Sequence, residues 1–206
     1  MLNAGADMLQ EMSLRSAWRA LTARQVAKRA GLTTGSFYNY WDTQEQFVAA
    51  LVEHLLDPDE VHAELLTPHD DLRALADPST TDEAWLDIGR RHLARIATST
   101  RFLAEIRLMG CASDEVVAKQ MMRIHDVQRR AYGRLVESYH RQRRREPLAS
   151  FSVGDVGEAL AALTAGYAVR ALAASGDHGV GDRYARAVLG TLEALSQPQR
   201  APVAAH

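Results

Sequence analysis

Apolar residues recur mostly every three or four positions along segments of this chain. The six prolines fall between these segments or in the C-terminal tail. Proline cannot continue a helix beyond its first turn, and this spacing places apolar side chains on one face of a helix. Alternating runs of β-branched residues bounded by hairpin turns are absent, and Phe151–Val153 is too short to carry a sheet. The sequence therefore predicts an all-α chain without strands or repeats.

Helix starts are marked by side chains that accept a hydrogen bond from the free amides of a first turn. Three pairs have the spacing of a capping box, namely Thr22 with Gln25, Thr43 with Gln46, and Thr80 with Glu83. Thr33 is predicted to cap a further helix. The predicted helices span residues 2–16, 22–30, 33–40, 43–56, 58–66, 80–99, 101–111, 113–145, 152–175 and 180–196.

Composition and charge narrow the class of protein. The chain has 206 residues, of which 47% are apolar and 24% charged, with a net charge of -2, as in an ordinary globular protein. The single cysteine, Cys111, excludes an intramolecular disulfide and is expected to be a packed thiol in a reducing compartment. Uncharged stretches such as 159–169 are far shorter than the ~20 residues that span a bilayer. We expect a cytoplasmic protein that does not enter a membrane.

Basic residues are concentrated near the start of the chain. Between Met12 and Trp41 there are five Lys and Arg and no Asp or Glu, namely Arg15, Arg19, Arg24, Lys28 and Arg29. One end of the molecule could therefore face phosphate. A basic stretch is also common on a solvated helix face, so charge alone does not decide between the two interpretations.

The most informative stretch runs from Thr22 to Glu45 and predicts a helix, a turn and a second helix. Residues 26, 27 and 30 are predicted to form an inward face, Gly31 to take the left-handed conformation, and Leu32 to plug the corner. Thr33 then begins the second helix. Two short helices joined in this way present the second helix to the major groove of DNA.

The second helix is short and polar on one face. Phe37 and Trp41 lie four residues apart and are predicted to pack inward. Six residues remain to point outward or sideways, namely Thr34, Gly35, Ser36, Tyr38, Asn39 and Tyr40. Hydroxyl and amide groups bind phosphates and base edges, and a glycine lets the backbone approach DNA closely.

The stretch Val-Ala-x-x-Ala-Gly-Leu-Thr-x-Gly-x-Phe-Tyr-x-Tyr-Trp resembles the helix-turn-helix of the TetR family of bacterial regulators, and residues 2–9 are similar to the first family helix. The resemblance implies that Thr33 and Ser36 contact phosphates or bases, that Tyr38 and Tyr40 contact backbone and groove, and that Thr22 caps its helix against a phosphate. The expected DNA-binding residues are Thr22, Arg24, Lys28, Thr33, Thr34, Gly35, Ser36, Tyr38, Asn39, Tyr40 and Thr43.

The resemblance also implies a domain organisation and a function. We expect an N-terminal three-helix DNA-binding domain over 1–45, a larger helical effector-binding and dimerisation domain over 46–197, and a disordered tail over 198–206. The expected function is that of a repressor released from a palindromic operator by a small-molecule effector. The family's basic N-terminal arm does not precede the first helix, the connection before Thr22 is longer than usual, and Gln44 replaces a common Lys. Some salt-dependent affinity is therefore expected to be lost.

An effector pocket and a dimer surface are expected in the larger domain. The pocket candidates supply apolar walls with a few polar groups, and they are Trp85, His92, Phe102, Ile106, Arg107, Met109, Met121, His125 and Tyr167. Arg107 and His125 could pair with an acidic ligand. The last two helices carry apolar residues on more than one face, so a second copy is expected to cover one of them. The candidate dimer residues are Leu160, Leu163, Tyr167, Tyr184, Val188 and Leu192.

Other interpretations are weaker. His54, His62 and His69 are too widely spaced for a helical metal site, so neither a metal nor another cofactor is expected. The basic run over 141–145 suits a solvated helix end, with a second nucleic-acid patch as its alternative. The chain lacks the motif of a nucleophile, a phosphate loop or paired carboxylates, so an enzyme is not expected. The remaining alternative is a helical protein-protein adaptor that has lost DNA binding.

Overall fold

The computed structural model describes residues 22–66, 81–174 and 179–199. Almost all of this part of the chain is helical, which confirms the predicted all-α class. The described helices are α1 (Ala23–Arg29), α2 (Thr34–Tyr38), α3 (Gln44–Leu55), α4 (Pro58–Leu66), α5 (Asp82–Thr98), α6 (Thr100–Met109), α7 (Glu115–Arg143), α8 (Val153–Ala173) and α9 (Val180–Ala194). The predicted helix over 2–16 lies outside the described residues.

Each described helix lies within two residues of its predicted bounds at both ends. The cap of α5 is one residue later than predicted, because Thr81 and not Thr80 accepts a hydrogen bond from the amide of Ala84. Neighbouring threonines at 80 and 81 can both begin a helix, and the sequence pattern does not distinguish them.

The chain divides into two compact units, which do not follow a single cut in the sequence. The first unit comprises residues 1–57 and 103–123, and the second comprises 58–102 and 124–206. Two helices, α6 and α7, have residues in both units.

The core of the first unit, as far as it is described, lies between α1, α2 and α3. Ala23, Ala27, Phe37 and Phe47 are buried together, and Val26, Trp41, Val48 and Leu51 pack against them half-buried. In the later part of this unit Cys111 is buried, in line with the prediction of a packed thiol.

In the second unit α9 packs against α5, and both helices pack against α8. Small residues permit these close approaches: a Cβ on Gly89 would lie 2.9 Å from the Cβ of Ala185, and one on Gly157 would lie 2.8 Å from the backbone nitrogen of Gly133. Arg90 of α5 donates to Asp182 of α9 at 2.5 Å and to Glu83 at 3.1 Å, so charge as well as packing joins these helices.

The prediction of no strands is wrong in one place. Strand β1 (Arg145–Pro147) pairs antiparallel with β2 (Ser196–Pro198), with Glu146 opposite Gln197. We call this pair the clasp. Each strand has three residues and ends in proline, which is tolerated at an edge, so neither shows the alternation by which strands are recognised. Pro198 therefore belongs to the clasp and not to the predicted tail.

Side chains reinforce the clasp. The Ser196 hydroxyl donates to the carbonyl of Leu192 at 2.5 Å, so its oxygen accepts from Nε2 of His140 at 2.7 Å. Arg145 donates to the Ser196 carbonyl at 2.6 Å. Burial, followed by the charge of Arg145, lowers the pKa of His140, which favours a neutral ring with its proton on Nε2.

Helix α8 carries apolar residues on its exposed side as well as on its buried side. By length and composition it could cross a membrane, yet its buried residues face α5, α7 and α9 of a helical unit, and only 28% of its most apolar window is buried. An exposed face of small and apolar residues runs along it, formed by Ala159, Ala162, Gly166, Val169 and Ala173. We call this set the α8 face.

Candidate nucleic-acid interface

Helix α2 is anchored by a single buried ring. Phe37 is 3% exposed and contacts the rings of Trp41 and Phe47 at centroid distances of 5.3 and 5.1 Å. Both Phe37 and Trp41 were predicted to pack inward. Because Phe37 lies on the inner side of a helix of five residues, the residues around it are directed to solvent.

The turn before α2 depends on Gly31. Its φ is +71°, in the region that side chains disfavour, as predicted from its position after the first helix. Leu32, however, is 53% exposed and does not plug the corner. Its backbone amide bonds to the carbonyl of Ala27 at 2.8 Å, so hydrogen bonding rather than side-chain packing closes the turn. Ala30, expected to face inward, is exposed as the C-cap of α1.

Three threonines begin the three helices. Thr22, Thr33 and Thr43 accept from the amides three residues on at 3.3, 3.1 and 3.2 Å. The box at Thr22 is complete, whereas Gln46 reaches back to the amide of Asp42 instead of Thr43. The Thr22 hydroxyl also donates to Oε1 of Gln25 at 3.2 Å. A capping threonine whose O–H is not used in this way can donate it to a phosphate oxygen.

The predicted DNA-binding residues share one property, which is solvent access. Ser36 is half-buried, and the other ten are exposed. Tyr38 and Tyr40 are 53% and 74% exposed, which is unusual for large rings without a partner molecule. Thr33 and Ser36 hydroxyls lie 2.9 Å apart and can act as one bidentate group.

Positive charge lies beside this polar surface. Arg24, Lys28 and Arg29 are exposed on α1, and Asp42 is the acid among residues 22–43. With α1 and α2 joined through the Gly31 turn, the cations of one helix and the hydroxyls of the other belong to one compact motif. We call this surface the reading surface; it comprises the exposed residues between Thr22 and Thr43.

An open groove also lies in the first unit, between α1 and α3. Its volume is about 810 Å³, and it is lined by Gln25, Val26, Lys28, Arg29, Ala30, Phe47 and Leu51. Its walls are mainly apolar, and none of the predicted effector residues lines it. Elsewhere, no group of three His, Cys, Asp or Glu able to hold a metal is found among residues 22–66, 81–174 and 179–199.

The predicted effector residues are divided between the two units. Ile106, Arg107, Met109 and Met121 belong to the first unit, and Trp85, His92, Phe102, His125 and Tyr167 to the second. Arg107 and His125, the two singled out for an acidic ligand, are both exposed, and Met109 is 45% exposed. Trp85 is core, since its Nε1 donates to Gln142 at 2.7 Å and its ring meets that of Tyr139.

His92 is the predicted residue with the richest polar surroundings. Its Nε2 lies 2.9 Å from the Tyr132 hydroxyl, and its ring stacks on Tyr184 at 6.4 Å. Burial, followed by the charge of Arg95, lowers its pKa to about 4, so the ring is neutral at pH 7. The sequence analysis did not identify Tyr132 or Arg95, although Arg95 lies three residues after His92 on the same helix face.

The predicted dimer residues are mostly core residues of one protomer. Leu160, Tyr184, Val188 and Leu192 are between 0% and 7% exposed, and Leu163 and Tyr167 are half-buried. Apolar spacing identified the inner face of each helix, since that face carries the larger side chains. The residues left outside are the small ones of the α8 face.

Residues 15–51 match the model of the family described as bacterial regulatory proteins, tetR family. The matched segment contains α1, α2, most of α3 and the whole reading surface. No curated protein and no solved structure matches the chain.

Proposed function

From its place among the TetR-family transcriptional regulators, we infer that this chain is a dimeric repressor that binds a palindromic operator and is released by a small-molecule effector. The observation that carries the proposal is the reading surface. A helix held by one buried ring presents two exposed tyrosines, an asparagine and capping hydroxyls beside three cations. This combination suits direct contact with base edges and phosphates.

Residue roles follow from chemistry and exposure. Asn39 can pair with adenine through its amide, and Tyr38 and Tyr40 can lie against sugar and phosphate. The O–H groups of Thr33 and Thr43 can donate to phosphates while their oxygens cap helices. Lys28 and Arg24 add charge attraction, which positions the motif without specifying sequence.

Sequence recognition is tested by selecting bound duplexes from a random pool. We expect the unaltered protein to enrich a palindrome, and Tyr38→Ala with Asn39→Ala to abolish that enrichment. Met122→Ala is the control, because Met122 is 70% exposed in the same unit but lies outside the reading surface. Enrichment of no sequence by the unaltered protein would contradict the proposal and favour an adaptor without DNA binding.

The charge contribution is tested separately through salt. Lys28→Gln should lower the slope of log affinity against log salt by about 1, and weaken all sequences alike. Lys119→Gln removes the same charge from an exposed position on α7 and should leave the slope unchanged. Equal slopes for all three proteins would remove Lys28 from the interface.

Dimerisation is proposed to use the α8 face. Its exposed alanines, Gly166 and Val169 form a smooth apolar strip, and a Cβ on Gly166 would meet nothing within 4 Å. Small residues allow a second helix to approach closely, and a second copy supplies the same complementary strip. Two joined protomers would also carry two reading surfaces, as a palindrome requires.

The dimer is tested by sedimentation at concentrations where the unaltered protein is paired. Val169→Glu should give a monomer, because the new carboxylate would be buried without a partner. Arg134→Gln changes net charge by the same amount at an exposed position on α7 and should remain dimeric. A Val169→Glu protein that stays dimeric would place the interface elsewhere.

Release by effector requires a link between binding and the spacing of the reading surfaces. The candidate links are α3, which lies in the first unit and ends just before its boundary at residue 57, and α6 and α7, which have residues in both units. Displacement of these helices is proposed to change operator affinity about 5- to 150-fold. A compound that raises the melting temperature of the protein yet leaves operator affinity unchanged would contradict this switch.

A further inference from the structure

The second unit contains a connected set of polar side chains in its interior. His92 of α5 contacts the Tyr132 hydroxyl at 2.9 Å, and its ring stacks on Tyr184. The Tyr184 hydroxyl lies 2.9 Å from that of Thr164, and the Tyr184 ring lies 5.7 Å from that of Tyr167. Four helices of the unit therefore contribute polar groups among aromatic rings.

Arg95 is the cation of this set. Its Nη2 lies 3.3 Å from Nδ1 of His92, which therefore acts as the acceptor. Its Nε is buried and has no hydrogen-bond partner. Within the described ranges of the chain, no carboxylate lies at ion-pair distance from Arg95, whereas Arg101 and Arg143 of the same unit each have one and Arg90 has two.

Arg95 is half-buried, and its charge has no carboxylate partner among the described residues. The neighbouring His92 is neutral at pH 7 and supplies no negative charge. A buried donor without a partner is unfavourable, and more so when it is charged. An anion would remove both defects at once.

The shape of the guanidinium indicates which anion. Nε–H and one Nη2–H lie on the same edge of its plane and match the two oxygens of a carboxylate. Here Nε is unpaired, and the Nη2 contact with a neutral ring is easily exchanged. Of the neighbouring rings, Tyr132 and Tyr184 are core residues at 6% and 2% exposed, whereas Tyr167 is half-buried and offers apolar surface to the remainder of such a ligand.

We propose that Arg95 anchors an organic carboxylate, with the Tyr132 hydroxyl and His92 beside it, and that this carboxylate is the effector of the regulator. The claim that this carboxylate is the effector rests on the proposed function. The claim that Arg95 binds a carboxylate rests only on the contacts of this cluster.

The test is a titration of the full-length protein with acetate, which any carboxylate site must admit. The Nε–H resonances of ¹⁵N-labelled arginine are followed, and that of Arg95 is assigned by its loss in Arg95→Lys. We expect this resonance to shift and saturate with acetate, and not with acetamide. Arg91 is the reference for weak surface binding, since it is exposed and pairs with Asp87.

The variants separate binding from structure. Arg95→Gln should weaken acetate binding at least 10-fold, and Arg91→Gln should leave it unchanged. Arg95→Gln should also melt no lower than the unaltered protein without acetate, since it removes an unpaired charge. A clear loss of stability in that variant would indicate a structural arginine and overturn the proposal, as would an Arg95 resonance that moves no more than that of Arg91.

The two proposals can fail independently. Acetate binding is measured without DNA, and duplex selection without acetate. Saturable binding at Arg95 in a protein that enriches no duplex would support the site and refute the regulator. An enriched palindrome together with an unresponsive Arg95 would refute the site alone.

Discussion

Gly157 of α8 crosses Gly133 of α7 so closely that a Cβ on Gly157 would lie 2.8 Å from the backbone nitrogen of Gly133 and from the carbonyl oxygen of Arg129. Both of the contacted atoms are backbone atoms, so they cannot move aside as a flexible side chain would. The separation of these two helices is therefore fixed by the absence of side chains at the crossing.

Gly157→Ala should therefore lower the free energy of unfolding by about 1–3 kcal/mol, as for other overpacked cores. Gly181→Ala is the matched control, because its Cβ would meet atoms of Arg90 only at 3.8 Å and beyond. Urea unfolding of the two variants measures the difference. Equal stabilities would show that the α7–α8 crossing relaxes without cost.

Two glycines near the reading surface should behave oppositely. Gly31→Ala forces a Cβ into the left-handed region and should destabilise the first unit by about 1–2 kcal/mol. Gly35 is helical, and a Cβ there would meet only Thr33 Oγ1 at 3.7 Å. Gly35→Ala should keep or raise stability by up to about 1 kcal/mol, yet weaken DNA binding. Thermal unfolding and duplex affinity, measured together, check both; a Gly35→Ala protein with full affinity would place the DNA further from α2.

The stability of the protein should decrease at acid pH because His92 is neutral in the folded chain. Its pKa is about 4 in the folded chain against an ordinary 6.5, so between these pH values the unfolded chain binds a proton that the folded chain does not. Stability from this group is complete above pH 6.5 and falls as pH decreases, at no more than roughly 1.4 kcal/mol per pH unit. His92→Gln should flatten the pH dependence of urea unfolding in this window, and His54→Gln, at an exposed position, should not. Parallel curves for His92→Gln and the unaltered protein would contradict a buried neutral ring.

The clasp should depend on the Ser196 hydroxyl. Ser196→Ala removes the donor to Leu192 and leaves buried His140 without its acceptor, so a loss of about 1–3 kcal/mol is expected. Ser150→Ala, in an exposed turn, is the control. Hydrogen exchange should show faster exchange of the Leu148 amide, which bonds to the carbonyl of Leu195 at 3.0 Å. Unchanged exchange at Leu148 would mean that backbone pairing alone holds the strands.

Local features of the fold were predictable, because a few neighbouring residues determine them. A threonine three residues before the amide that it caps, a glycine after a helix end and Phe37 four residues before Trp41 all act within one or two turns. These features account for most of the helix-turn-helix and for the helix bounds. They could not show that Leu32 would be exposed, because that depends on which neighbours reach it.

Features that join distant segments were not predictable. Strand β1 finds its partner fifty residues later in the chain, at Ser196–Pro198, and neither strand has a pattern of its own. Arg95 was overlooked because its importance lies in the missing counter-charge, which is a property of the folded unit. The candidate dimer residues were chosen for apolar size, and four of them, Leu160, Tyr184, Val188 and Leu192, are buried within the chain. Whether an apolar residue faces its own core or a second copy depends on the folded unit and not on its spacing.

The clasp also has a consequence for synthesis. A ribosome that adds roughly 5–20 residues per second needs several seconds to pass from β1 to β2. During that time the hairpin of α8 and α9 lacks strand β2, whereas α1, α2 and α3 have already left the ribosome. Each nascent chain can thus form its helix-turn-helix core well before the surface proposed for pairing is complete, which disfavours the joining of unfinished chains on one messenger.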